Sequence, residues 1–216
     1  YDNIIVEFDR KNRFANIKIL GPKSSDIINK EEINNQSSEW WPIKITRELD
    51  DAILLLRTNE LDIGVIIISS EGSIENVSKI SEFIYQNKDN WLINEVIGFY
   101  RRTMSRLDIS SRSIFTVVEE NSCFAGLLFE MVLSADRSYM LNNSLNKEKS
   151  NIGPFISLSD INFRYLEMAN GQTRIDTRFS NNKKLINPLI LLKNKLLDAE
   201  KAFSNGLSIS NCLIVV

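Results

Sequence analysis

Two β-rich runs open the chain, at 3–8 and 14–20, with a polar turn from Asp9 to Arg13 between them. Alternating branched and aromatic residues around a polar turn predict a hairpin, and Gly21-Pro22 stops its second strand. Residues 23–39 are rich in Ser, Asn and Glu and read as a loop. After Trp40-Trp41-Pro42 the period changes. Ile45, Leu49, Ala52, Ile53 and Leu56 recur at three- and four-residue spacing and predict a helix over 43–57. The apolar run at 64–69 predicts a strand buried on both faces, ended by residues 70–73. A second amphipathic helix is predicted from 91 to 107, with Leu92, Val96, Tyr100, Met104 and Leu107 on one side. Then come a strand at 113–118, a helix at 127–133 and a strand at 137–141. Residues 142–153 read as a polar loop and 155–158 as a short strand. The region 170–205 reads as helical with an interruption near Pro188. Gly206 follows as a helix-ending residue, and 207–216 as an apolar strand. Strands and helices alternate at crossover lengths, which predicts an α/β fold.

Composition changes this picture mainly through one absence. The chain has 216 residues and no histidine. Nucleophile systems that need an imidazole cannot be built within it, and neither can the common histidine-containing zinc sites, so no metal site is expected. Acid–base chemistry must rest on Asp, Glu, Lys, Tyr or Cys. The formal charge of −2 lacks the basic excess of a dedicated nucleic-acid binder. No apolar run is long enough to span a membrane. The first residues show no basic segment followed by an apolar one, so no signal peptide is read. The chain begins at Tyr1 without an initiator Met, which suggests a trimmed or partial chain. Cys123 and Cys212 lack framework spacing and read as free thiols of a reducing, cytoplasmic compartment.

Candidate chemistry concentrates between 117 and 137. A buried strand ends, a small-residue turn follows, and a helix starts near Gly126 with Glu130 one turn inside it. Unpaired N–H groups and the positive dipole end of such a helix suit a developing oxyanion. A strand–helix junction with a capping or ion-paired Glu is the structural alternative. Cys123 has no histidine or metal to activate it and reads as a packing residue.

The segment Ala125-Gly126, Glu130 and Ser134-Ala135-Asp136 resembles the crotonase (enoyl-CoA hydratase/isomerase) superfamily, whose pattern is a glycine-rich turn, a Glu, and an Asp six residues later. The order of elements and the 198–207 passage into the last strand fit as well. Trp41-Pro42, residues 47–53, 56–60, 101–103, 106–113, 122–126, 135–141 and Asn170-Gly171 are similar to one branch, the benzoyl-CoA-dihydrodiol lyases (epoxybenzoyl-CoA dihydrolases). Members of that branch are longer, with two crotonase-like halves, and this chain resembles the C-terminal one.

The resemblance implies a single crotonase-like core over 1–216, a spiral of ββα units whose C-terminal helical part is missing. It implies an acyl-CoA substrate with no other cofactor, and lyase or hydratase chemistry on an aromatic-derived acyl group. It also implies a backbone oxyanion hole at Gly126 and Leu127, and proton transfer by Glu130 and Asp160. Arg101 and Arg102 are candidates for CoA phosphate contacts, against a solvated helix face paired with Glu95 and Asp108. A homo-oligomer or a second crotonase-like half is the implied partner. Three departures from the family pattern stand out. Leu127 replaces the usual Gly, Asp160 replaces a Glu, and residues 71–75 replace the loop that supplies the first oxyanion N–H. They favour the alternative of a non-catalytic half-domain serving binding or assembly.

Overall fold

The computed structural model describes residues 1–35, 38–142, 153–208 and 210–212. A six-stranded sheet runs in sequence order, β1 (Ile4–Asp9), β2 (Phe14–Leu20), β3 (Val65–Glu71), β4 (Ser113–Val118), β5 (Arg137–Leu141) and β6 (Ser210–Cys212). The hairpin pair β1–β2 is antiparallel, and every later pair is parallel. The connections that precede β3, β4 and β5 are helical, as parallel neighbours require.

One face of the sheet is sealed and the other is half-covered. Ala15, Ile17 and Ile19 of β2, Ile66 and Ile68 of β3, and Ile114, Thr116 and Val118 of β4 are buried. Their alternating neighbours are only half-buried or exposed. The expectation that 64–69 is buried on both faces therefore needs correcting. A continuous apolar run also results when the second face packs only partly, as Phe115 does edge-to-face on Tyr139.

Helix α1 (Trp41–Asn59) buries Trp41, Ile45, Leu49, Ala52, Ile53 and Leu56. Pro42 sits in its first turn, where a missing N–H costs nothing. Both indoles anchor the preceding loop, Trp40 Nε1 to Asp26 O at 3.2 Å and Trp41 Nε1 to Leu20 O at 3.1 Å. Helix α2 (Ile74–Gln86) was not expected; the chain after β3 reads as a mere break. Its signal is nevertheless present, with Ser73 as N-cap and Val77, Ile80 and Ile84 at helical spacing. Helix α3 (Trp91–Asp108) is capped by Asn90 and packs on α1. Helix α4 (Gly126–Ser134) is buried from Gly126 to Leu133, and it packs against α2.

The C-terminal third is broken into α5 (Asp160–Arg164), α6 (Arg174–Arg178), α7 (Lys183–Ile190) and α8 (Ala199–Ser204). The helical region is interrupted near Pro188 as expected, although Pro188 itself lies inside α7, which ends at Ile190. The breaks fall where Ser180, Asn181 and Asn194 adopt positive φ, a region a helix cannot pass through. Gly206 follows α8 at φ +71°, in the expected left-handed role. Residues 155–158 form only isolated bridges, Ser157 with Ala125 and Ile156 with Leu197, instead of a strand. The predicted loop at 143–152 and the last four positions of the predicted final strand lie outside the described residues. No helix of the described residues is long and apolar enough to cross a membrane.

Candidate active site

The chain's own groups bond the junction between β4 and α4 at several points. After β4, Ser122 Oγ accepts from the Glu119 N–H at 2.9 Å, and Ser70 Oγ accepts from the Cys123 N–H at 3.0 Å. Cys123 is fully buried, and burial pushes its thiol up to about 11, so it is a packing residue. Residues 124–126 then bridge to 157. The Ser157 N–H donates to Phe124 O at 3.1 Å, and the Gly126 N–H donates to Ser157 O at 3.2 Å.

Gly126 starts α4 at φ +44°. A side chain there would collide with α2, since a Cβ would lie 2.1 Å from Ser81 Oγ and 3.2 Å from Ser159 Oγ. The close approach brings Ser81 onto the helix terminus. Its Oγ accepts from the Leu127 N–H at 3.0 Å and donates to Val77 O at 2.7 Å. Both N–H groups assigned to the oxyanion hole, at Gly126 and Leu127, are therefore bonded within the protein. In the segment that replaces the other oxyanion loop, one N–H is committed in the same way. The Gly72 N–H donates to Asn121 O at 2.9 Å, and Ser73 caps α2.

The carbonyls of the same turn are fixed too. Tyr100 Oη donates to Leu127 O at 2.6 Å, and Asn162 Nδ2 donates to Gly126 O at 2.8 Å. Asn162 Nδ2 also reaches Glu130 Oε1 at 2.7 Å. The second Glu130 oxygen accepts from Arg174 at 2.8 Å. Arg174 in turn grips Asp108 through two bonds, of 3.0 and 2.5 Å. Glu130 is 0% exposed and the Arg174 side chain 3%. Burial pushes the Glu130 carboxyl upward, against the pull of Arg174 and Asn162. Burial works to lower Arg174, but Glu130 and Asp108 outweigh it and hold the guanidinium above its ordinary value. The arrangement is a buried acid–base–acid bridge tying α4, α6 and α3 together.

Asp160 lies elsewhere. It is the first residue of α5, after Ser159 at the N-cap, and its carboxylate is paired with Lys193 and 40% exposed. It lines a cleft of about 180 Å³ with Ser81, Tyr85, Gln86, Ser159 and Asn194, which Glu130 does not line. The two expected acids are thus not brought to one cavity.

Arg101 and Arg102 line a separate open groove with Gly98, Ser105, Glu167 and Met168. Arg101 bonds Glu167 O at 3.0 Å, and Arg102 stacks on the Phe99 ring at 5.1 Å. The expected partners of this helix face were Glu95 and Asp108. Instead Asp108 is taken by Arg174, and Arg106 is paired with Asp50.

Sequence reasoning missed Ser81, Asn162 and Arg174. Ser81 belongs to the unexpected α2. Asn162 and Arg174 meet Glu130 across 32 and 44 positions, a pairing no local pattern reveals.

This architecture is the crotonase fold. An enoyl-CoA hydratase from Bacillus halodurans superposes with a TM-score of 0.57 at 16% identity, over 97% of this chain and 73% of that one. An enoyl-CoA hydratase from Bacillus anthracis gives 0.58 at 14% identity, over 95% and 68%. The particular likeness is to benzoyl-CoA-dihydrodiol lyase of Aromatoleum evansii, 39% identical over 207 residues. That match takes in 96% of this chain and 36% of the lyase, so the chain spans about a third of its relative's length. No family model matches the chain.

Proposed function

We propose that this chain is a crotonase-fold module of a CoA-thioester lyase or hydratase acting on an aromatic-derived acyl-CoA, and that the module itself does not activate the thioester. Its likeness to a benzoyl-CoA-dihydrodiol lyase supports the reaction class. One observation carries the second half of the reading. The Leu127 N–H, which would polarise the thioester carbonyl, is bonded to Ser81.

An oxyanion hole works through donors about 2.7–3.1 Å from the oxygen that becomes charged. Here the Gly126 and Leu127 donors are already spent. Glu130 is equally committed, because both its oxygens are already bonded, one by Asn162 and the other by Arg174. The module's role is then assembly, with a second crotonase-like half or another copy supplying the chemistry. A second reading has one observation in its favour. Asp160 shares a cleft with Ser81, whose hydroxyl bonds the Leu127 N–H, so a thioester that displaces Ser81 would have Asp160 nearby.

Incubation of the chain with benzoyl-CoA and crotonyl-CoA separates the two. No saturable binding and no turnover are expected. Turnover that is lost in Glu130→Gln or Asp160→Asn would overturn the module reading in favour of an autonomous enzyme.

A further inference from the structure

The face of the sheet that turns away from the core is apolar at its centre. Val65 and Ile67 of β3, Phe115 and Val117 of β4, and Tyr139 of β5 are half-buried. None of them belongs to the core cluster or to the half-buried residues that pack on it. Phe115 meets Tyr139 edge-to-face at 6.1 Å, a contact that stays within the face. Five strands about 4.8 Å apart, each of about six residues rising about 3.3 Å, give this face a flat area of roughly 480 Å². Two such faces pressed together reach the roughly 1,000 Å² at which a specific interface begins.

The two rims of the face carry opposite charges. Cross-strand pairing places Glu7, Asn16, Ile67, Phe115 and Arg137 in one row from β1 to β5, with Ile67 on the middle strand. Glu7 and Arg137, at its two ends, are exposed. Among the described residues neither has an ion-pair partner. In the next row along the strands, Ile5 is 47% exposed at the rim of Glu7, and Tyr139 stands at the rim of Arg137. A two-fold axis parallel to the strands and passing over Ile67 reverses each row. It sets each Glu7 opposite the partner's Arg137, Ile67 against its own copy, and Ile5 against the partner's Tyr139. The same axis keeps the strand directions of the two sheets aligned, as face-to-face sheets prefer.

We propose that two copies of this chain associate through this sheet face about that axis, with a Glu7–Arg137 pair closing each rim. A partner of one charge sign would match one rim and repel the other. A second copy carries the reversed pattern by symmetry and matches both. The proposal rests on the module reading above, in which assembly is the chain's role, and it uses no group of the α4 terminus.

Sedimentation velocity of the chain from about 1 to about 200 μM is expected to show a reversible dimer with a micromolar dissociation constant. Glu7→Arg alone and Arg137→Glu alone each bring like charges together at both rims, and each should weaken self-association at least tenfold. An equimolar mixture of the two variants restores both pairs across a heterodimer. Its affinity should return to within about threefold of the unaltered chain, a recovery that misfolded variants could not give. A chain that stays monomeric over this range, variants that dimerise as tightly as the unaltered chain, or a mixture no tighter than its components would overturn the proposal. Each of those results leaves the module reading standing, because acyl-CoA binding and turnover by the chain test that reading separately.

Discussion

Arg174→Met is expected to cost about 3–5 kcal/mol of folding stability, the usual result of stripping one partner from a buried ion pair. The methionine keeps much of the stem's volume but leaves Glu130 with Asn162 alone, and it removes two bonds from Asp108. The pH dependence follows from the direction of the Glu130 shift. Burial already raises that carboxyl, and Arg174 is the largest group opposing the rise. Without Arg174 the folded-state value climbs further above the unfolded one. A raised acid supports the fold fully below its unfolded pKa and loses that support as pH rises through the folded value. The deficit of Arg174→Met should therefore be larger at pH 8 than at pH 5, and Glu130→Gln on top of it should recover part of the loss at pH 8. Urea unfolding at the two pH values checks this. A deficit below about 1 kcal/mol, well short of the buried-pair cost, or one that does not change with pH, would contradict the buried bridge.

Gly126→Ala is the second large effect, at about 2–5 kcal/mol. Holding alanine at positive φ costs roughly 1–2 kcal/mol, and overpacking adds about 1–3 kcal/mol. The new Cβ would lie 2.1 Å from Ser81 Oγ and 2.4 Å from Ser81 Cβ. Rotation of the serine relieves only the first contact. The second involves an atom fixed to the α2 backbone, so α2 and α4 must separate. Gly98→Ala is the internal control. Nothing lies within 4 Å of its added Cβ, so it should be neutral or stabilise α3 by about 0.5–1 kcal/mol. Denaturant midpoints of the two variants moving together would show that the Gly126 contact is not the cause.

The frame of the fold was legible because its elements carry strong local periods. The 3–8 and 14–20 runs became a register-paired hairpin, and Ile45 through Leu56 lined the buried face of α1. The turn at Gly126 was also legible, since glycine, Glu130 and Asp136 stand close together in sequence. Helix α2 carries a clear period at Val77, Ile80 and Ile84, but it opens directly on the polar Glu71–Ser73 break, which reads only as the end of β3. Ser81, and with it the state of the α4 terminus, belongs to that helix. The closed condition of the site was illegible for another reason. It depends on Ser81 meeting Leu127, Asn162 meeting Gly126, and Arg174 meeting Glu130 and Asp108, all set by tertiary packing over 36 to 66 positions. The short C-terminal helices were equally hard to read, since left-handed Ser180, Asn181 and Asn194 carry no obligate glycine signal.

The account turns on Ser81 occupying the place a thioester oxygen would take. The Leu127 backbone amide reports on that place directly in a ¹⁵N–¹H spectrum. With saturating benzoyl-CoA, the Leu127 resonance of the unaltered chain is predicted to stay where it is, protected from exchange by its bond to Ser81. A saturable shift of that resonance on adding the thioester would contradict the account.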